Sequence, residues 1–302
     1  MKHAAFPAIE DALRAERGSA FQIRSAQPAS GGDSHAAFVV SDGHESFFIK
    51  LGEREQLPMF DAERDGLEAL AAADCVRVPA PVLLASAGDH AFLVLEYLQL
   101  QALTSAADGE RCAQALVALH RQSGENFGWR RDNFIGRTPQ RNTPEPNWAR
   151  FFVEHRLRPQ LALARTRGFD DGLLRAGEQL CERVPALFLD YRPQASLVHG
   201  DLWHGNVAML VDGTPVLFDP AVHFGDREAD LAMAELFGGF PGAFYAAYRK
   251  AWPLQEDHAA RKPLYCLYHL LNHLNLFGRS YLRECLRLTH ALNRELSQGR
   301  TA

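Results

Sequence analysis

The chain has 302 residues, 47% hydrophobic and 23% charged, with a net charge of -5. Such values suit a soluble globular chain with room for a sizeable core, as one large domain or two lobes. They exclude the basic face of a nucleic-acid binder, and no run approaches the ~18 apolar residues of a membrane span. The N-terminal segment MKHAAFPAIEDALRAERG lacks the apolar run of a signal peptide. Cys75, Cys112, Cys181, Cys266 and Cys285 are scattered, with no C-x-x-C pair, which points to reduced thiols and a cytoplasmic protein.

In chain order, Ile9 to Glu16 reads as a short helix and Phe21 to Ser25 as a short, partly apolar segment opening a strand-rich region. Ser30-Gly31-Gly32-Asp33 is a turn. Ala36 to Val40 and Ser46 to Lys50 are strands joined by the hairpin signal Ser41-Asp42-Gly43-His44. Met59 to Ala73 has helical periodicity, with Phe60, Leu67 and Leu70 on one side. Two more strands follow, Val82 to Ala85 and Ala91 to Leu95.

After Tyr97 the texture becomes helical. Helices are expected over Ala106 to His120, Trp148 to Arg167, Gly172 to Arg183, Glu228 to Phe237, Phe240 to Trp252 and Pro263 to Leu296. A strand pair, Val207 to Leu210 and Pro215 to Phe218, interrupts them. The expected fold is α+β and two-lobed. Residues 1–98 form a small antiparallel-sheet lobe, and residues 99–302 a larger helical one, with a connector at Glu96 to Gln101.

One stretch stands apart. LVHGDLWHGNV, Leu197 to Val207, sets His199-x-Asp201-x-x-x-x-Asn206 directly after an apolar pair. That spacing matches the catalytic loop of kinases. Asp219 of Phe218-Asp219-Pro220 follows at the place of a metal-binding aspartate, Lys50 ends a strand upstream, and Glu63 lies in the next helix. Phosphoryl transfer needs positioning and charge neutralisation, and these residue types supply both. Asp201 would take the proton of an attacking hydroxyl. Asn206 and Asp219 offer hard oxygen ligands for Mg²⁺. Lys50 would hold the nucleotide phosphates with Glu63 directing it, while Gly31 and Gly32 let the backbone close over phosphate. Each of these residues alone has an ordinary alternative as a surface charge or a turn; their order and spacing together carry the argument.

The chain resembles the fructosamine/ketosamine kinase family, a branch of the aminoglycoside-phosphotransferase-like, protein-kinase-like fold. ASGGDSHAAFVV with FFIK, MFDAERDGLEAL, LVLEYL, FGWRRDNFIGRTPQRN, NWARFFVEHRLRPQL, HGDLWHGNV, FDPAVHFGDREADLAMAELFGGF and YCLYHLLNHLNLFG carry the resemblance over nearly the whole chain. It implies ATP- and Mg²⁺-dependent phosphorylation of the sugar 3-hydroxyl of a free or protein-bound ketoamine, a deglycation repair role. It also implies that Asp201 is the base, Asn206 and Asp219 the metal ligands, and Lys50 with Glu63 the ion pair. Gly31, Gly32 and Asp33 would serve the nucleotide loop, and Glu96 and Leu98 would offer backbone groups to adenine. Trp203, Asp230, His269 and His273 are the candidate substrate residues. Trp203 could instead be a buried aromatic beneath the loop, the acids from Asp226 to Asp230 could instead open a helix, and His269 and His273, at i and i+4, could instead be packed core histidines on one helix face. Asp226 departs from the histidine expected at its position. Two alternatives stay open: a kinase for an aminoglycoside, choline or another alcohol, and a nucleotide-binding pseudokinase. A monomer is expected, with a dimer as the alternative, and no nucleic-acid or membrane partner.

Overall fold

A computed structural model describes residues 3–17, 21–29, 35–169 and 171–298. The chain divides into two compact units, residues 1–102 with 208–219, and residues 103–207 with 220–302. The elements in order are α1 (Phe6–Arg17), β1 (Ser25–Pro28), β2 (Ala36–Ser41), β3 (Ser46–Glu53), α2 (Leu57–Ala72), β4 (Pro81–Ala87), β5 (His90–Glu96), α3 (Ala106–His120), β6 (Asn133–Ile135), β7 (Thr138–Gln140), α4 (Trp148–Phe152), α5 (Arg158–Thr166), α6 (Asp171–Arg183), β8 (Ser196–Val198), β9 (Val207–Met209), β10 (Pro215–Leu217), β11 (His223–Gly225), α7 (Arg227–Phe237), α8 (Gly242–Ala251), α9 (His258–Phe277) and α10 (Leu282–Ser297).

The first unit is built on an antiparallel sheet in the order β1-β2-β3-β5-β4. The β2–β3 hairpin forms where its turn chemistry demands. Asp42 Oδ1 accepts from the His44 and Glu45 amides, and Gly43 takes φ +97°. Strand alternation then sorts the faces of β3. Phe47, Ile49 and Leu51 join a core with Phe6, Ile9 and Leu13 of α1. Lys50, on the opposite face, is buried toward α2. The β9–β10 pair also belongs to this unit. Gln101 and Met209 exchange both backbone hydrogen bonds, and Leu217 N donates to Arg77 O.

The second unit is mainly helical around a core that includes Trp148, Phe151, Leu264, Tyr265 and Leu274. Ser105 caps α3 through a reciprocal pair of bonds with Asp108, each 3.0 Å. Asp226 caps α7 by accepting from Glu228 N. Two expected helices are interrupted. Residues 148–166 pass from α4 through one wide turn at Val153–Leu157 into α5. The pattern from Pro263 to Leu296 is two helices, because Gly278 takes φ +92° after α9 and a short turn starts α10. The short pairs β6–β7 and β8–β11 were not anticipated. At three residues each they are too brief for alternation to register. Among the described residues no helix is long and apolar enough to cross a membrane.

Candidate active site

In the first unit, Lys50 is 3% exposed. Its Nζ lies 2.5 Å from Glu63 Oε1 and 2.5 Å from Asp219 Oδ1. Burial opposes its charge, but the Asp219 and Glu63 carboxylates outweigh that and hold the ammonium above its ordinary pKa. Burial pushes Glu63 up to about 7 against the pull of Lys50. Asp219 has φ +56°, a left-handed conformation that costs a non-glycine residue about 1–2 kcal/mol. Glu96 accepts from Arg77 Nη2 at 2.5 Å and from Ala80 N at 3.1 Å. Its own amide donates to Ala80 O, so the backbone group it has to offer is the carbonyl. Leu98 is half-buried just past β5. Gly31, Gly32 and Asp33 lie outside the described residues.

In the second unit, β8 delivers the chain from the core into the polar loop. Val198 and His199 are fully buried. His199 Nδ1 accepts from Asp201 N at 3.3 Å, and His199 O accepts from Ala221 N at 2.8 Å. Gly200 has φ +84°, and a Cβ there would stand 2.1 Å from Ala221 O. Only glycine fits on both counts. Asn206 Nδ2 donates to Asp201 O at 2.9 Å and Asp201 Oδ2 at 3.3 Å. With its nitrogen committed as donor, Asn206 keeps its amide oxygen as the group that can ligate a cation. Trp203 is half-buried, its ring lying against Gly205, where a Cβ would come within 2.3 Å of it.

Asp230, expected against the substrate, sits beneath this loop and is 1% exposed. Its Oδ2 accepts from His199 N at 2.7 Å and its Oδ1 from Gly200 N at 2.9 Å. His120 Nε2 also donates to Oδ2, at 3.1 Å, and Tyr248 donates to His120 Nδ1 at 2.7 Å. Burial raises the Asp230 pKa, but the hydrogen bond from His120, the neighbouring imidazoles and the Gly200 amide outweigh it and hold the carboxyl below its usual range. Asp230 is therefore a clamp on the loop backbone. His120 and Tyr248 complete it, and no local pattern marked either.

His269 is buried, and burial, then His273, pushes it down to about 3, so it is neutral. His273 is half-buried; its Nδ1 donates to His269 O at 2.8 Å, and its ring lies between Phe237 and Tyr281, at 4.7 and 5.2 Å. The segment after Asp219 is fixed by a buried polar network from β6 and β7. Asn133 Nδ2 donates to Val222 O, Gln140 Nε2 and Asn142 Nδ2 both donate to Asn133 Oδ1, and Tyr268 donates to Gln140 Oε1 at 2.5 Å. The TPQ-N run therefore acts as a strut for backbone.

The sequence of the chain matches the Fructosamine kinase family over residues 5–295. The chain belongs to the fructosamine kinase family. It is 45% identical over 281 residues to a probable ketoamine kinase of Synechocystis sp., covering 90% of this chain and 93% of that one. A crystal structure assigned as a fructosamine-3-kinase from Haemophilus somnus 129PT superposes with a TM-score of 0.86 at 29% identity, over 94% of this chain and 96% of the other. The aminoglycoside phosphotransferase APH(4)-Ia shares the fold, with a TM-score of 0.64 at 15% identity, over 98% of this chain and 99% of the other. Fructosamine kinase membership thus joins a sheet-based first unit and a mainly helical second unit in one α+β fold of the phosphotransferase type.

Proposed function

We propose that this chain is an ATP-dependent ketoamine kinase that phosphorylates the sugar 3-hydroxyl of fructosamine- or ribulosamine-type adducts, as a deglycation repair enzyme. The observation that carries the reaction class is the buried Lys50 held at 2.5 Å by both Glu63 and Asp219. A lysine so fixed is a directed point charge for nucleotide phosphate. Family membership over residues 5–295 supports the ketoamine as acceptor.

The roles follow from the chemistry of each side chain. Asp201 accepts a hydrogen bond from the sugar hydroxyl and takes its proton as the phosphoryl group transfers. Asp230 and Gly200 hold the backbone that presents Asp201. Asn206 through its amide oxygen and Asp219 through its carboxylate would hold magnesium, both being hard-oxygen donors of the type that Mg²⁺ takes. Magnesium, when bound, neutralises the developing phosphate charge. Glu63 keeps Lys50 in place when Asp219 turns to the metal. The Glu96 carbonyl and the Leu98 backbone serve adenine, Gly31, Gly32 and Asp33 the phosphate loop, and Trp203 walls the sugar with His273 beyond it. In this reading the first unit binds nucleotide, the second binds ketoamine, and the enzyme is a monomer.

ATP turnover with Mg²⁺ against a ribulose-lysine, a fructose-lysine, an aminoglycoside and choline tests the proposal. Turnover is expected on a ketoamine, and Asp201→Asn should lower kcat about 10²–10⁴-fold with folding intact by circular dichroism. Turnover on the aminoglycoside or choline alone would replace the acceptor; ATP binding without turnover on any would favour a pseudokinase.

A further inference from the structure

His35 immediately precedes β2 and takes no part in the interactions described so far. Both of its ring nitrogens are buried, and neither has a hydrogen-bond partner among the described residues. The ring meets Phe60 of α2 edge-on, with centroids 5.6 Å apart and planes at 84°. It stands within electrostatic reach of Lys50 and Asp219, and burial followed by the Lys50 charge pushes its pKa down to about 4. At neutral pH the ring is uncharged and carries one N–H donor and one lone pair. A buried donor left unmet carries its full desolvation penalty. A phenylalanine would pack against Phe60 without that penalty. The histidine is thus explained by a ligand that accepts.

The surroundings select that ligand. Burial and then the Lys50 charge disfavour a positive charge on the ring, and the Asp219 and Glu63 carboxylates hold Lys50 as the ammonium. An anion would be drawn to Lys50 and would find in His35 a neutral donor that fixes direction without adding charge. We propose that His35 is a phosphate-binding residue, its ring N–H donating to an oxygen of the nucleotide polyphosphate that Lys50 holds. This rests on the ATP reading above and assigns the nucleotide a contact that His-x-Asp and lysine–glutamate spacing leave out.

Titration calorimetry on the full chain with Mg²⁺ and ATP, ADP or adenosine tests it, using wild type, His35→Phe and His35→Gln. His35→Phe should weaken ATP about tenfold or more while adenosine stays within about twofold, and the ligand-free variant should melt no lower than wild type. His35→Gln should recover part of the loss, and the ¹⁵N resonances of His35 should move with ATP and not with adenosine. Unchanged ATP affinity in His35→Phe would overturn the proposal, as would equal losses for ATP and adenosine, which would mark a packing role. Wild-type protein that bound no ATP would overturn the kinase reading itself, and the phosphate contact with it. That outcome is seen in the wild type and so is separate from a failure of the variants.

Discussion

At the scale of single residues, the candidate site depends on groups that touch no reacting atom. Asp230 receives two loop amides and the His120 imidazole, so its carboxylate is acceptor on every side. Asp230→Asn places an NH₂ against one of these donors. We expect a loss of about 1–3 kcal/mol in urea unfolding and a lower kcat with the KM for ATP little changed. Lys50→Met should act in the opposite sense, raising the KM for ATP, as steady-state kinetics would show. Gly200→Ala must both hold φ +84° and press a Cβ into Ala221 O. A destabilisation of at least ~2 kcal/mol by denaturant titration is expected. Asp201 and Asn206 could be read from the sequence because they are five residues apart and hydrogen-bond within one loop. Lys50 and Asp219 are 169 residues apart, so chain order could suggest their meeting and only the fold could bring it about. His120 reaches the loop solely through Asp230, and nothing local distinguishes it from any histidine ending a helix.

At the scale of elements, the start of α7 carries more buried charge than a helix cap requires. Arg261 of α9 binds Glu228 through two bonds of 2.8 Å, with its guanidinium 3.7 Å over the Tyr191 ring. Arg261→Met would leave Glu228 buried without its partner, and a loss of about 3–5 kcal/mol in thermal or urea unfolding is expected. Asp226 accepts from Tyr191 at 2.9 Å and Tyr265 at 2.6 Å, and burial, then Glu228, raises it to about 7. The folded state therefore keeps a proton that the unfolded chain releases near its ordinary value of 3.8. This contribution to stability is fully present below pH ~4 and is lost as pH rises through about 7. Asp226→Asn should flatten that part of the stability–pH curve, measured by urea unfolding at several pH values. The helical periodicity from Pro263 to Leu296 was legible, but the break at Gly278 was not, since apolar spacing runs through it on both sides.

At the scale of the whole molecule, each unit has its own core, one around Ile9, Ile49 and Phe92 and the other around Phe151, Tyr265 and Leu274. The α+β class was legible because short alternating segments gave way to long helical periods after Tyr97. The return of residues 208–219 to the first unit was not, because no composition shift marks it. If the chain binds ATP as proposed, saturation at about 100 times Kd should stabilise it by about 2.7 kcal/mol, read as a higher Tm with Mg²⁺ and ATP than without.

The same returning segment governs the order in which the protein can be made. The first unit draws β9, β10 and Asp219 from chain that leaves the ribosome only after residues 103–207. At about 5–20 residues per second, the first unit waits several seconds or more for its separate β9–β10 pair and for one of the two carboxylates on Lys50. During that interval the nascent first unit has Gln101 and Arg77 O without their partners on Met209 and Leu217. Nucleotide capture therefore cannot assist the earliest folding of this chain: ribosome-stalled chains ending before residue 208 should fail to retain ATP, while those with residue 219 well clear of the exit tunnel should retain it.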